Sequence, residues 1–351
     1  MNSSKERERT RLQSLDSGVV TLAPHTVHFD LTNACNTDCV TCWDHSPHLE
    51  QARPSSWKRQ RADAATVAST LDDIHALGGL EAVILSGMGE PFTHPDVYAI
   101  IADVKRRGLH LTIITNLVAA DVDQVMALGV DALLVGVQGA SLASYLAFHP
   151  SFHESHWRKL NEQLSALAHS SVDVKHVQVI CAHNAHELRA MIDLAWQMRA
   201  RQINFKLASL KHGTEAVRIS HDQRSSLLSH GHGSIDDACA HAASLGVATN
   251  LAVLRAQVEA GGELTAAIDS VGCFLGTSYA RITVDGTALY CCNTETVVGT
   301  ISPATPFSSL WTGSAWGAMR TRLREGRYFD GCYQCGKLNQ NVKLAEKYRA
   351  L

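Results

Sequence analysis

Val-His-Phe-Asp-Leu-Thr (Val27–Thr32) leads, two residues on, into Cys35-Asn-Thr-Asp-Cys39-Val-Thr-Cys42. An apolar, β-rich run that ends in a loop of three cysteines sets thiols at the C-terminal end of a strand. Runs of the same kind follow at Ala82–Gly87, Leu111–Asn116, Ala132–Val137, Val174–Ile180 and Ile203–Ala208. Between them, Ala62–Gly78, His94–Gly108 and Ala185–Gln202 repeat apolar residues at three- and four-residue steps, the helical period. Six successive strand–helix units predict parallel strands joined by right-handed crossovers. The expected fold is α/β, a partial (β/α)6 TIM-like barrel, with an open doubly wound sheet as the alternative. Either architecture binds ligands at the C-terminal ends of its strands, where the cysteine loop falls.

Beyond Ser209 the pattern changes. His212 to about Ile268 reads as helical, with glycine breaks at Gly231–Gly233 and Gly261–Gly262. Tyr279–Cys292 then alternates around Asp285-Gly286, the signal of a tight hairpin. The chain thus divides into a polar N-terminal arm (1–24), the barrel (25–210), a helical connection (211–270) and a small hairpin-containing C-terminal domain (271–351). The charged opening stretch through Ser14 reads as a solvated arm or a short surface helix.

The 351 residues are 45% apolar, enough for one large core and a smaller one. With 31 basic and 34 acidic side chains the net charge is −3, which argues against nucleic acid as a partner. No run is long and apolar enough to span a membrane and none resembles a signal peptide, so a cytoplasmic protein with no membrane partner is expected. In a reducing compartment, ten cysteines point to metal, cluster or catalytic chemistry rather than disulfides. Cys35, Cys39 and Cys42 form one group; Cys273, Cys291, Cys292, Cys332 and Cys335 form another; Cys181 and Cys239 stand apart.

Three thiolates within eight residues can converge on one 4Fe–4S cluster, leaving one iron open to an outside ligand. A structural zinc site would want a fourth protein ligand close at hand. The C-x3-C-x2-C run resembles the signature of the radical S-adenosylmethionine (SAM) superfamily, and the resemblance extends from about His25 to Lys337. It implies that the open iron is chelated by the amino and carboxylate groups of SAM, whose reductive cleavage yields a 5′-deoxyadenosyl radical. The family's usual aromatic before the third cysteine is Thr41 here, with Trp43 one residue beyond as the adenine contact. Gly87-Met-Gly89-Glu90-Pro91, after the second strand, resembles the family motif that meets SAM's amine. A small-residue strand end lets backbone approach a ligand, and the carboxylate can accept from an ammonium. Thr115-Asn116 and Gln138 fall where the family has polar and ribose contacts to SAM.

The C-terminal set, taken alone, fits zinc as well as iron–sulfur. Its order of Cys273, Asp285-Gly286, Cys291, Gly299, Ile301, Leu310-Trp311, Arg320, Gly326, Cys332 and Cys335 resembles a shortened SPASM, or twitch, domain. That resemblance implies a second, auxiliary 4Fe–4S cluster held by Cys273, Cys291, Cys332 and Cys335. Strand alternation would send neighbouring side chains to opposite faces, which leaves Cys292 a buried spare thiol or a hydrogen donor.

The layout resembles aminocyclitol dehydrogenases of the 2-deoxy-scyllo-inosamine type. It implies abstraction of a hydrogen from a secondary alcohol of a sugar, aminocyclitol or similar small molecule. The auxiliary cluster would accept an electron, and a one-electron reductant such as flavodoxin or ferredoxin would start the reaction. A radical SAM epimerase or peptide-modifying maturase, with a peptide as substrate, is the alternative. An iron–sulfur electron carrier or sensor is the non-enzymatic one. Only about 25 mostly polar residues precede the core, which favours a small molecule over a peptide. Cys181, Lys206, His45 and Asp44 are the catalytic candidates. Each has a plain competing reading: a core thiol, a solvent-directed lysine, and loop residues bonded locally.

Overall fold

All six expected strands form, each within two residues of its expected ends: β1 (Thr26–Asp30), β2 (Ala82–Ser86), β3 (His110–Thr115), β4 (Ala132–Gly136), β5 (Asp173–Ile180) and β6 (Gln202–Leu207). The computed structural model describes residues 3–262 and 266–351. Neighbours in this series pair in parallel, in chain order. Val27, Val83 and Leu111 stand in register on one face and are buried beneath crossover helices such as Ala64–Ala76 and Val97–Arg106. The first of these starts where the Asp63 carboxylate accepts from the Thr66 N–H at 2.8 Å, a side-chain cap. The opposite face carries His28, Asp30, Ser86, Asn204 and Lys206 and lines the inside of a partial, barrel-like sheet.

A two-residue strand, β7 (Ala248–Thr249), pairs with β6 inside the stretch expected to be helical. The rest of that stretch is mainly helical, at His221–Leu228, Ile235–Leu245 and Leu251–Ala260. Residues 263–265 of the expected connection, and 1–2 of the arm, lie outside the described residues.

The C-terminal hairpin joins the same sheet. β8 (Tyr279–Ile282) pairs in parallel with β1, on the side away from β2, and continues through β9 (Thr287–Leu289) and β10 (Val297–Thr300). Its turn is one residue longer than the dipeptide signal, closed by Thr283 N–H to the Thr287 carbonyl at 3.0 Å. Gly286 takes φ +79°, the left-handed position that ends a three-residue hairpin loop. Behind the hairpin, the fully buried Arg320 lies over the Trp311 ring and donates to the carbonyls of Gly276 (2.7 Å) and Trp311 (2.9 Å).

The polar opening stretch is a helix, Ser4–Ser17, with one side buried, rather than a solvated arm. Leu12 and Leu15 reach the core, and Arg11 donates to the carbonyls of Ala23 (3.1 Å) and Gly79 and pairs with Glu81. Glu8 and Asp16 on this helix bond Lys347 (2.6 Å) and Tyr348 of the last helix, Leu338–Arg349. Composition masked this role because the buried polar groups are satisfied one by one. Among the described residues no helix is long and apolar enough to cross a membrane.

Candidate active site

Cys35, Cys39 and Cys42 sit on the loop leaving β1, closed by Cys42 N–H to the Cys39 carbonyl at 2.9 Å. Burial pushes the Cys35 thiol up to about 12 and raises Cys39 and Cys42 as well, the three thiols opposing one another's ionisation. Thiolates crowded in so dry a place need a strong positive charge among them. Three sulfurs, with Glu90 as the neighbouring carboxylate, fit an iron–sulfur cluster with one open iron.

The Gly87–Pro91 loop is bound to the neck of the cysteine loop. Gly89 N–H donates to the Thr32 carbonyl (3.1 Å) and Glu90 N–H to the Ala34 carbonyl (2.9 Å). A Cβ at Gly87 would overlap the Thr32 carbonyl oxygen, and one at Gly89 the Ala34 carbonyl. The glycines therefore serve backbone-to-backbone packing, a reason distinct from the ligand approach expected of them. Gly89→Ala is expected to cost about 1–3 kcal/mol by forcing backbone shifts, read as a lowered urea midpoint.

Glu90 is fully buried. Its carboxylate accepts from the Thr115 hydroxyl (2.6 Å), Asn116 N–H (2.7 Å) and Phe92 N–H (3.2 Å). Burial outweighs these bonds and lifts its pKa to about 7. Three neutral donors and, among the described residues, no ion-pair partner leave a carboxylate that an ammonium group would complete. Because the folded pKa is the higher one, Glu90 binds its proton more tightly when folded. Its contribution to stability is full below pH 4.5 and is lost as pH rises through 7. Between these values the ligand-free protein should lose up to about 1.4 kcal/mol per pH unit from this group. Glu90→Gln should flatten that slope in urea titrations at several pH values; an unchanged slope would contradict it.

Asn116 also ties β3 to the cysteine loop, its amide paired with Asn36 at 2.7 Å. Asn36 carries no motif and went unnoticed in the sequence. Gln138 has φ +64° and spends its side-chain oxygen on Val179 N–H (2.6 Å), holding β4 to β5, so a ribose contact would have to displace that bond. Trp43 reaches across the sheet, its indole N–H on the Ser209 carbonyl (2.7 Å) and Lys211 over its ring.

The catalytic candidates separate. Cys181 is core, packed with Val40, Phe148, Ala208 and Val217, and burial lifts its thiol to about 11. Asp44 is held by Arg53 at 2.8 Å. His45 stands against Trp57, lines a cavity of about 370 Å3 with Cys35 and Lys58, and has the backbone of Asn33 and Met88 at its ring. Lys206 is exposed on the inner face of β6, while its neighbours Phe205 and Leu207 are buried beneath helices.

In the C-terminal set, Cys273 and the hairpin's cysteines approach the Cys332–Cys335 loop. Asn293 Nδ2 reaches Cys332 Sγ at 3.7 Å, and Asn341 Nδ2 reaches Cys335 Sγ at 3.8 Å. Strand alternation does not reach these two residues, because β9 (Thr287–Leu289) ends before them. Cys291 and Cys292 turn to the same side, their thiols within bonding reach of each other. Cys292 is thus no isolated spare thiol.

A family model for the radical SAM superfamily matches residues 29–195, and one for SPASM, an iron–sulfur cluster-binding domain, matches 273–336. The chain joins a radical SAM domain to an SPASM domain. It is 31% identical over 129 residues to an AdoMet-dependent heme synthase of Methanosarcina barkeri, covering 36% of this chain and 34% of that protein. It is 26% identical over 203 residues to a PqqA peptide cyclase of Xanthomonas campestris, covering 57% and 47%. The matches thus span a third to a half of these curated relatives. The fold is similar to that of Streptococcus suis SuiB bound to precursor peptide SuiA, with TM-score 0.63, 12% identity, and 89% and 70% coverage. A radical SAM domain carries SAM and a 4Fe–4S cluster, and an SPASM domain adds auxiliary iron–sulfur.

Between the radical SAM and SPASM domains runs a buried polar seam that the sequence did not suggest. Arg281 of β8 grips Asp30 of β1 with Nε (2.9 Å) and Nη2 (2.9 Å), and its Nη1 donates to the Cys292 carbonyl at 3.4 Å. His28 bonds the Tyr279 hydroxyl (2.6 Å) through Nδ1 and the Ser86 hydroxyl through Nε2. Burial, then Arg281 and Lys337, push its pKa well down, so the ring is neutral.

Proposed function

We propose that the protein takes a hydrogen atom from an unactivated carbon of a substrate held in the lumen and oxidises that substrate, a secondary alcohol of a sugar, aminocyclitol or similar small molecule. The observation that carries this is Lys206, exposed near the C-terminal end of β6 on the polar inner sheet face and close enough to Cys292 of the SPASM domain for its charge to act on that thiol. When bound, SAM and its cluster supply the 5′-deoxyadenosyl radical, and the auxiliary cluster supplies an electron acceptor. Glu90 would receive SAM's ammonium. His45, whose pKa burial lowers, would be the proton acceptor, since Asp44 is engaged with Arg53. Lys206 would donate to a substrate oxygen.

The names of the PqqA peptide cyclase and of SuiB with its precursor peptide favour a second reading, peptide modification. The deciding experiment offers deuterated cyclitols and deuterated peptides to the anaerobically reconstituted protein and follows deuterium into 5′-deoxyadenosine. Deuterium from a cyclitol, with a ketone product, supports the first reading. Deuterium from peptides alone replaces it with the second, and absence of 5′-deoxyadenosine under every condition overturns both.

A further inference from the structure

The last helix, Leu338–Arg349, begins just beyond the residues that match the SPASM model, 273–336, yet its first turn reaches back to the cysteines. Asn341 in that turn is fully buried, and both ends of its amide are used. Its Oδ1 accepts from Phe274 N–H at 2.7 Å, beside Cys273, and its Nδ2 reaches Cys335 Sγ at 3.8 Å. Because a backbone N–H can only donate, the amide oxygen must face Phe274 and the amide nitrogen must face the sulfur.

Lys337, the residue before this helix, lays its Nζ over the Tyr279 ring at 4.3 Å. Its charge acts on Cys292, Cys291 and Cys335, with Arg281 as a second cation close by. Arg281 is matched by Asp30, whereas Lys337 makes no ion pair among the described residues. A partly buried cation beside another cation is costly unless negative charge stands near it. Donors meet two more of the sulfurs: Asn293 N–H reaches Cys291 (3.4 Å), and Asn293 Nδ2 reaches Cys332 (3.7 Å). A cluster held by thiolates gains negative charge when it is reduced, and N–H donors or a cation at its sulfurs stabilise that charge.

We propose that Asn341 and Lys337 set the reduction potential of the auxiliary cluster, raising it above the value that four thiolates alone would give. Both are positioning residues, acting through the sulfurs and not on the substrate. The role rests on the reading above, in which the substrate radical loses one electron to that cluster and one proton to a base as its alcohol becomes a ketone.

The test compares reconstituted wild type with Asn341→Asp, Lys337→Met and Lys337→Arg. Aspartate keeps an oxygen for Phe274 N–H but removes the donor on the sulfur side. Each protein is titrated with dithionite in the presence of redox mediators and followed by electron paramagnetic resonance. The auxiliary signal is the one that survives in Cys39→Ala. Asn341→Asp and Lys337→Met are each expected to lower the equilibrium constant for one-electron reduction of the auxiliary cluster about tenfold, or ~59 mV. The midpoint of the other cluster should not move, and Lys337→Arg should behave as wild type. Should Asn341→Asp fail to load iron, the two lysine variants carry the comparison. An auxiliary midpoint that stays in place in Asn341→Asp and Lys337→Met, with about eight irons bound, overturns the proposal. So does an equal shift of both clusters, because the two residues then only support the fold. Wild type with about four irons, none surviving in Cys39→Ala, also overturns it and removes the electron acceptor from the reading above; the iron count tells these failures apart.

Discussion

Arg281→Met is expected to cost about 3–5 kcal/mol, the usual penalty for removing one partner of a buried ion pair. Asp30 is 1% exposed and loses its arginine, leaving the Ser86 hydroxyl at 3.4 Å and the neutral His28 ring at 3.7 Å. Burial already pushes this carboxyl up against the pull of Arg281, so in the variant it should take up a proton, and the deficit should shrink as pH falls. The double variant Asp30→Asn/Arg281→Met removes the orphaned charge and should recover part of the loss. Urea midpoints under anaerobic conditions at pH 5 and pH 8 check this. A single variant within 1 kcal/mol of wild type at pH 8 would show that the seam is solvated and carries no such weight.

Replacing Cys39 by alanine should abolish 5′-deoxyadenosine formation and lower the iron content from about eight to about four per chain. Cys39 packs against the buried cluster of Val40, Phe148 and Cys181, so no solvent-held ligand can replace it easily. Cys291→Ala should instead remove the other four irons while leaving SAM cleavage with dithionite. Iron and sulfide analysis, with electron paramagnetic resonance of the reduced samples, separates the two losses. If Cys39→Ala kept its iron and its SAM cleavage, the first loop would not be the cluster site.

The barrel strands were legible because each is a short, locally consistent apolar run with a helical period on either side. The cysteine sets were legible because spacing within a loop survives in the sequence. What escaped depended on distance or on the end of an element. Asp30 and Arg281 are 251 positions apart, and nothing local marks either as the other's partner. β7 is two residues long, below any periodicity. Cys291 and Cys292 lie past the end of β9, where strand alternation no longer governs side-chain direction. The backbone neighbours of Gly87, Gly89 and Gln138 come from other strands and loops, which no local pattern announces.

The pairing of β1 with β8 has a consequence for how the protein is made. During synthesis, β1 and β2 can associate once residues near 86 have emerged, yet the other flank of β1 stays bare until residues 279–282 arrive. That flank is an apolar, hydrogen-bond-hungry edge, the sort on which nascent chains aggregate. In the finished sheet the outermost strands are β7 and β10, only two and four residues long. Loss of the last 80 or so residues would thus do more than remove five thiols: it would return the strand that leads into the SAM cysteines to an open edge.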